Sequence, residues 1–188
     1  MLEPMFNPRL TYWATDAGTV FSGPKQKVIT TDDADYVAFL GGGYVARSWP
    51  RDADGLQTIA ALQDVLSPYG MFADLRGYAA HARWVKETSW ITVTLSTGES
   101  VPVSTARGDD RDGLRDAFLG VQSGMRVDGS VFKFPDGVSR PVSNADIVSI
   151  TTAAFLHVQA AFDREAAVAA AIVAETITTI AEVDAAFA

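Results

Sequence analysis

The densest group of ionisable side chains is Asp109-Asp110-Arg111-Asp112. Carboxylates in that number suit a hard cation such as Mg²⁺ or Ca²⁺. The same acids at a helix start would face unpaired backbone N–H groups and the positive end of the helix dipole. With Arg111 inside the group and no ligand spacing to match, the helix start is the better reading, and no metal is expected. A second acidic run, Asp32, Asp33 and Asp35, invites comparison with an EF-hand loop, which needs Glu at its twelfth position. Counted from Asp32, that position is Gly43. These acids are therefore assigned to a capped helix.

Histidine occurs only at 81 and 157. A Ser-His-acid triad is defined by geometry, but no Gly-x-Ser-x-Gly elbow is present to suggest one. No His-Glu-x-x-His, Gly-x-Gly-x-x-Gly or Walker lysine pattern occurs either. Gly41-Gly42-Gly43 follows a helical pattern instead of opening one, so it is no phosphate cradle. Both histidines are expected on helices, at the surface or half buried. No catalytic residue and no cofactor is expected, and the chain is not expected to be an enzyme.

Aromatic residues offer a different chemistry. Exposed indoles could stack on sugars, whereas buried ones pack cores and interfaces. Trp84 and Trp90 bracket a helix-to-strand junction and are expected in the core. Trp13 and Trp49, with Phe21 nearby, lie in a looser N-terminal stretch and are the candidates for contact with a partner. A carbohydrate-binding module is the minor reading of the same residues.

The whole composition narrows the classes further. The 188 residues include no cysteine, which excludes disulfides, zinc ribbons and thiol chemistry. Hydrophobic residues make up 48%, too many for wholesale disorder. The net charge is −8 and the 15 basic residues are scattered, which argues against nucleic-acid binding. Met1 to Pro8 has no basic region leading into an apolar stretch, so no signal peptide is expected and synthesis is expected in the cytoplasm. The longest apolar run, Ala166 to Ala174, is far shorter than the ~18 residues of a membrane span, and no membrane insertion is expected.

The elements that must position these residues follow from period and punctuation. Leu10–Ala14, Val20–Phe21 and Gln26–Ile29 form a small β arm with a turn at Asp16-Ala17-Gly18. Two short helices follow, one behind Thr31 and one starting at Asp52 or Asp54 and ending at Ser67-Pro68-Tyr69-Gly70. That breaker marks a boundary between an N-terminal attachment module, residues 1–68, and a C-terminal domain, residues 71–188. The second part predicts a helix over Met71–Glu87 and a hairpin over Trp90–Ser104. A helix led by the 109–112 acids and a hairpin over Val131–Val142 come next. Asn144 then caps a long helix that runs to about Ala174, and a last short helix sits behind Thr179. The fold class is α+β. Ala166 and Ala170 on the long helix permit close approach of another helix, and Phe187 could fold back on it or meet a partner.

Residues 74–187 resemble a domain-of-unknown-function family found near the tail-fibre genes of tailed bacteriophages and prophages. The likeness is carried by Tyr78-Ala79-Ala80, Arg83-Trp84, Glu87-Thr88, Ile91-Thr92-Val93 and Asp110-Arg111-Asp112. It continues in the run His157 to Phe162, in Glu165-Ala166-Ala167-Val168, and through the ending Thr176 to Phe187. The segment Thr30 to Tyr36, with Phe39-Leu40 and Gly43, is similar to short N-terminal modules of phage tail-fibre and tail-fibre-assembly proteins. The resemblance implies a structural protein of the virion tail tip, baseplate or fibre region, made in the host cytoplasm. Its partners would be other phage tail proteins or copies of itself. It also leaves room for a tail-fibre assembly chaperone, and it implies no catalytic residues.

Overall fold

A computed structural model describes residues 6–188, and the fold is α+β. The chain divides into two compact units. One comprises residues up to Tyr78 together with Thr178–Ile180, and the other comprises Ala79–Ile177 and Ala181–Ala188.

In the first unit, β1 (Tyr12–Ala14), β2 (Val20–Ser22) and β3 (Lys27–Ile29) form an antiparallel meander. A two-residue strand, β4 (Arg47–Ser48), joins β1 in parallel and gives the sheet order β3-β2-β1-β4. That strand was not expected, because two residues carry no period. Successive side chains on a strand point to opposite faces, and here both faces are covered. Tyr12 and Val20 join Ile29 of β3 and Tyr36 of helix α1 (Ala34–Gly41) on one side. Trp13 and Phe21 join Trp49, with Leu62 and Leu66 of α2 (Ile59–Leu66), on the other.

Two helix starts differ from expectation. Asp33, not Thr31, caps α1, its carboxylate accepting from the backbone N–H groups of Asp35 and Tyr36. Helix α2 begins behind Thr58, not at Asp52 or Asp54. Asp52 Oδ1 accepts from the backbone of Asp54 and Leu56 at 3.1 and 2.9 Å, which holds the segment in a turn. Short acidic side chains compete with helix in this way. The Ser67-Pro68-Tyr69 breaker forms a 3-10 turn closed by Gly70 at φ +62°, where a side chain would be strained.

The second unit begins within α3 (Leu75–Glu87). It continues through the hairpin β5 (Ile91–Thr94) and β6 (Ser100–Val103), α4 (Asp109–Gln122), and the hairpin β7 (Val131–Lys133) and β8 (Ser139–Pro141). The long helix α5 (Asn144–Val173) and most of α6 (Ile180–Phe187) complete it. Ser143 caps α5, one residue before the expected Asn144, and its hydroxyl accepts from Asp146 N at 3.0 Å. The core gathers Leu95, Val101 and Val103 from the first hairpin, Leu114 from α4, Phe134 and Val142 from the second, and Ile147, Ile150 and Ala154 from α5. Complete burial of one such aliphatic side chain contributes about 1.5–3 kcal/mol.

Candidate interaction surface

The expected roles of the four tryptophans are reversed in the structure. Trp13 and Trp49 are 2% and 3% exposed and Phe21 is fully buried, all inside the first unit. A strand covered on both faces has no outward side, and Trp49, just after β4, packs into the same cluster as Trp13 and Phe21, so these three residues are core, not contact surface. The Trp49 indole donates to Thr58 O at 2.8 Å, which satisfies its one polar atom. Trp84 and Trp90, expected in the core, are 49% and 60% exposed. Ile91, Val93 and Leu95 turn toward the core, so Trp90 falls on the outer face by alternation.

In the second unit α5 carries apolar side chains on two sides. Ile147, Ala154, Ala161 and Val168 are buried. Phe155, Leu156, Phe162 and Val173 are 65%, 59%, 41% and 65% exposed. Ala166 and Ala170 are exposed on the same helix, whereas Phe187 is buried with Val183 of α6. Phe187 therefore closes the chain's own packing. A groove of about 360 Å³ opens between α4 and α5, walled by Leu114, Phe118, Ala154, Phe155 and Val158, with Arg111 and Thr151 among its polar residues.

An ionic cluster fixes this face. Glu87, at the end of α3, has no exposed surface. Its carboxylate meets Arg83 Nη1 at 2.8 Å and Arg107 Nη2 at 2.6 Å, and Arg107 Nε donates to Oε1 at 2.7 Å. Arg83 also donates from Nε to Glu165 of α5 at 3.0 Å and lies over the Phe162 ring at 4.7 Å. Arg111 of α4 donates to Thr105 O at 2.9 Å and to Glu87 O at 3.3 Å. Glu87 and Arg83 together thus tie α3 to α4 and α5. Burial alone would raise the Glu87 pKa, but the guanidinium groups of Arg83 and Arg107 outweigh it and hold the carboxyl below its ordinary value.

Asp146 does similar work at the start of α5. It accepts from Ser96 N and Ser96 Oγ, each at 2.8 Å, and from Ser143 Oγ at 2.7 Å. Burial again opposes ionisation, and the hydrogen bonds from Ser143 and Ser96 prevail, leaving the pKa lowered. Neither Glu87 nor Asp146 stands out in the sequence, because Arg107 and Arg111 reach the one, and Ser96 the other, from separate elements.

His157 lies half buried on α5, and its Nε2 sits 2.7 Å from Lys86 O and 3.2 Å from Ser89 Oγ. A carbonyl only accepts, so Nε2 carries the proton; the ring pins the end of α3. Asp109, Asp110 and Asp112 occupy the exposed first turn of α4, with Asp112 paired to Arg115 at 3.1 Å. Among the described residues no group of three or more His, Cys, Asp or Glu converges on a metal-sized site. By length and composition α5 could cross a membrane, since its best 18-residue window has a mean hydropathy of 1.3.

These features define an α+β protein whose second unit displays apolar surface on an internally braced helix. Residues 72–187 match the family described as Domain of unknown function (DUF4376), and the chain belongs to that family. No curated protein and no solved structure matches the chain.

Proposed function

We propose that the protein is a structural component of a bacteriophage tail, at the tip, baseplate or fibre region, and that it works by packing against other tail proteins or copies of itself. The observation that carries the packing reading is α5. Its buried side is braced by Glu87, Arg83 and Glu165, and its other side offers Phe155, Leu156 and Phe162 to solvent. Exposed aromatic and aliphatic side chains clustered on an ordered element mark a contact surface. Asp163-Arg164-Glu165 in the C-terminal half of α5 favours a protein neighbour over a bilayer, because a charge inside the bilayer costs at least about 2.5 kcal/mol near its centre.

The tail location is supported by the resemblance of residues 74–187 to proteins encoded near tail-fibre genes. Quantitative mass spectrometry of purified particles tests it. A fixed stoichiometry per particle is the expected result. Absence from the particle, with the chain bound to fibre protein in infected cells, would assign the same surface to an assembly chaperone.

A further inference from the structure

Helix α5 carries two stripes that run its full length, one residue out of step. In the first, Ile147, Ala154, Ala161 and Val168 recur every seven residues and are buried. Positions 151, 158, 165 and 172 alternate with them and are half buried. That stripe is filled from within the chain. The second stripe comprises positions 148, 152, 155, 159, 162, 166, 169 and 173, in steps of four and three. Six of these eight are exposed, and 148 and 169 are half buried. One residue is a rotation of about 100°, the offset between the two neighbours of a helix in a bundle. The steps of four and three keep a seam aimed at another long helix.

The stripe from Val148 to Val173 is about 38 Å long at 1.5 Å per residue. The other helices among the described residues have 8, 8, 13, 14 and 8 residues, and none spans it. Helix α5, with 30 residues, is long enough. A helix pair of that length covers roughly 600–800 Å² on each copy, the size of a stable interface.

We infer that α5 pairs with α5 of a second copy, antiparallel about a two-fold axis between residues 160 and 161. In that register Phe155 faces Ala166, Phe162 faces Gln159, and Val148 faces Val173, so large side chains meet smaller ones throughout most of the seam. A parallel pair would stack Phe155 on Phe155 and leave gaps at Ala166 and Ala169. A two-fold contact also closes on itself. The inference deepens the packing reading by naming the partner.

The chain has no cysteine, so introduced thiols report the register. Light scattering of the full chain should give a dimer, and Ala166→Glu, at an exposed position, should give a monomer with an unchanged far-UV spectrum. Under mild oxidation the double variant Phe155→Cys/Ala166→Cys should cross-link, and neither single variant should. A wild-type monomer at every concentration, or a dimer that survives Ala166→Glu, overturns the inference. Cross-linking of Ala166→Cys alone overturns the antiparallel arrangement. A solution monomer that is nevertheless stoichiometric in particles would refute the dimer and leave the tail assignment standing. A solution dimer missing from particles would do the reverse.

Discussion

Arg83 and Glu87 sit one turn apart on α3 with 2.8 Å between Nη1 and Oε2, and the carboxylate is sealed from solvent. An i,i+4 pair on an exposed helix contributes a few tenths of a kcal/mol. Here Arg107 closes the other side and Glu165 holds Arg83 in place. The pair has become the centre of a network joining three helices. Removing one partner of a buried pair costs more than the pair contributes, because the other charge stays behind in a dry site.

Glu87→Gln should therefore destabilise the second unit by about 2–3 kcal/mol, near the lower bound for a broken buried pair because Arg107 can turn back to water. Arg107→Gln should cost less than Glu87→Gln, because Arg83 still pairs with the buried carboxylate at 2.8 Å. Urea titration followed by far-UV dichroism checks both, and equal losses would contradict the asymmetry.

The lowered pKa values of Glu87 and Asp146 set an acid dependence. Their ordinary values are 4.5 and 3.8. The stability each carboxylate contributes is fully present above its ordinary value and is lost as pH falls through the lower folded value. The melting temperature should thus be flat from pH 7 toward 5 with respect to these groups and fall steeply below about 4. The Glu87→Gln variant should show a shallower acid slope than the wild type; an identical slope would remove Glu87 from the account.

Four tryptophans in two environments give a direct optical test. Acrylamide should quench the Trp84 and Trp90 emission and largely spare Trp13 and Trp49. The Trp84→Phe/Trp90→Phe double variant should lose the quenchable fraction and stay within about 0.5 kcal/mol of wild-type stability for each change. Trp13→Ala, by contrast, opens a cavity in a sheet covered on both faces and should cost about 3–5 kcal/mol.

How much of this was legible in the sequence differs by element. Helix α5 and the two hairpins of the second unit stand out, because a long apolar period and the turns Ser96-Thr97-Gly98 and Pro135-Asp136-Gly137 leave few alternatives. Cap positions slip by a residue or two where neighbours such as Ser143 and Asn144 can both cap. The tryptophans differ from expectation because a helix-to-strand junction says less about burial than strand alternation does. Strict counting from Leu95 places Trp90 outward, whereas nothing local reveals that both faces of β1 are covered. Glu87 was illegible for a deeper reason. A carboxylate at a helix end looks solvated until Arg107, Arg111 and Glu165 arrive from distant parts of the chain.

Gly23 provides the sharpest steric prediction. It follows β2 and donates its N–H to Thr11 O at 2.9 Å. A Cβ placed there would lie 2.0 Å from Pro8 O and 2.6 Å from Thr11 O, both backbone atoms that no rotamer change can move. Gly18, at the tip of the same meander, has open space around it and is constrained only by its φ of +87°. Gly23→Ala must displace the segment before β1 and should cost more than about 2 kcal/mol, whereas Gly18→Ala should cost about 1 kcal/mol from backbone strain. Thermal denaturation followed by tryptophan emission, which reports on Trp13 beside the displaced segment, should show the first unit melting far earlier in Gly23→Ala. Equal shifts for the two variants would mean that the Pro8 and Thr11 backbone can give way, and that the close approach is not what holds the N-terminal strand in register.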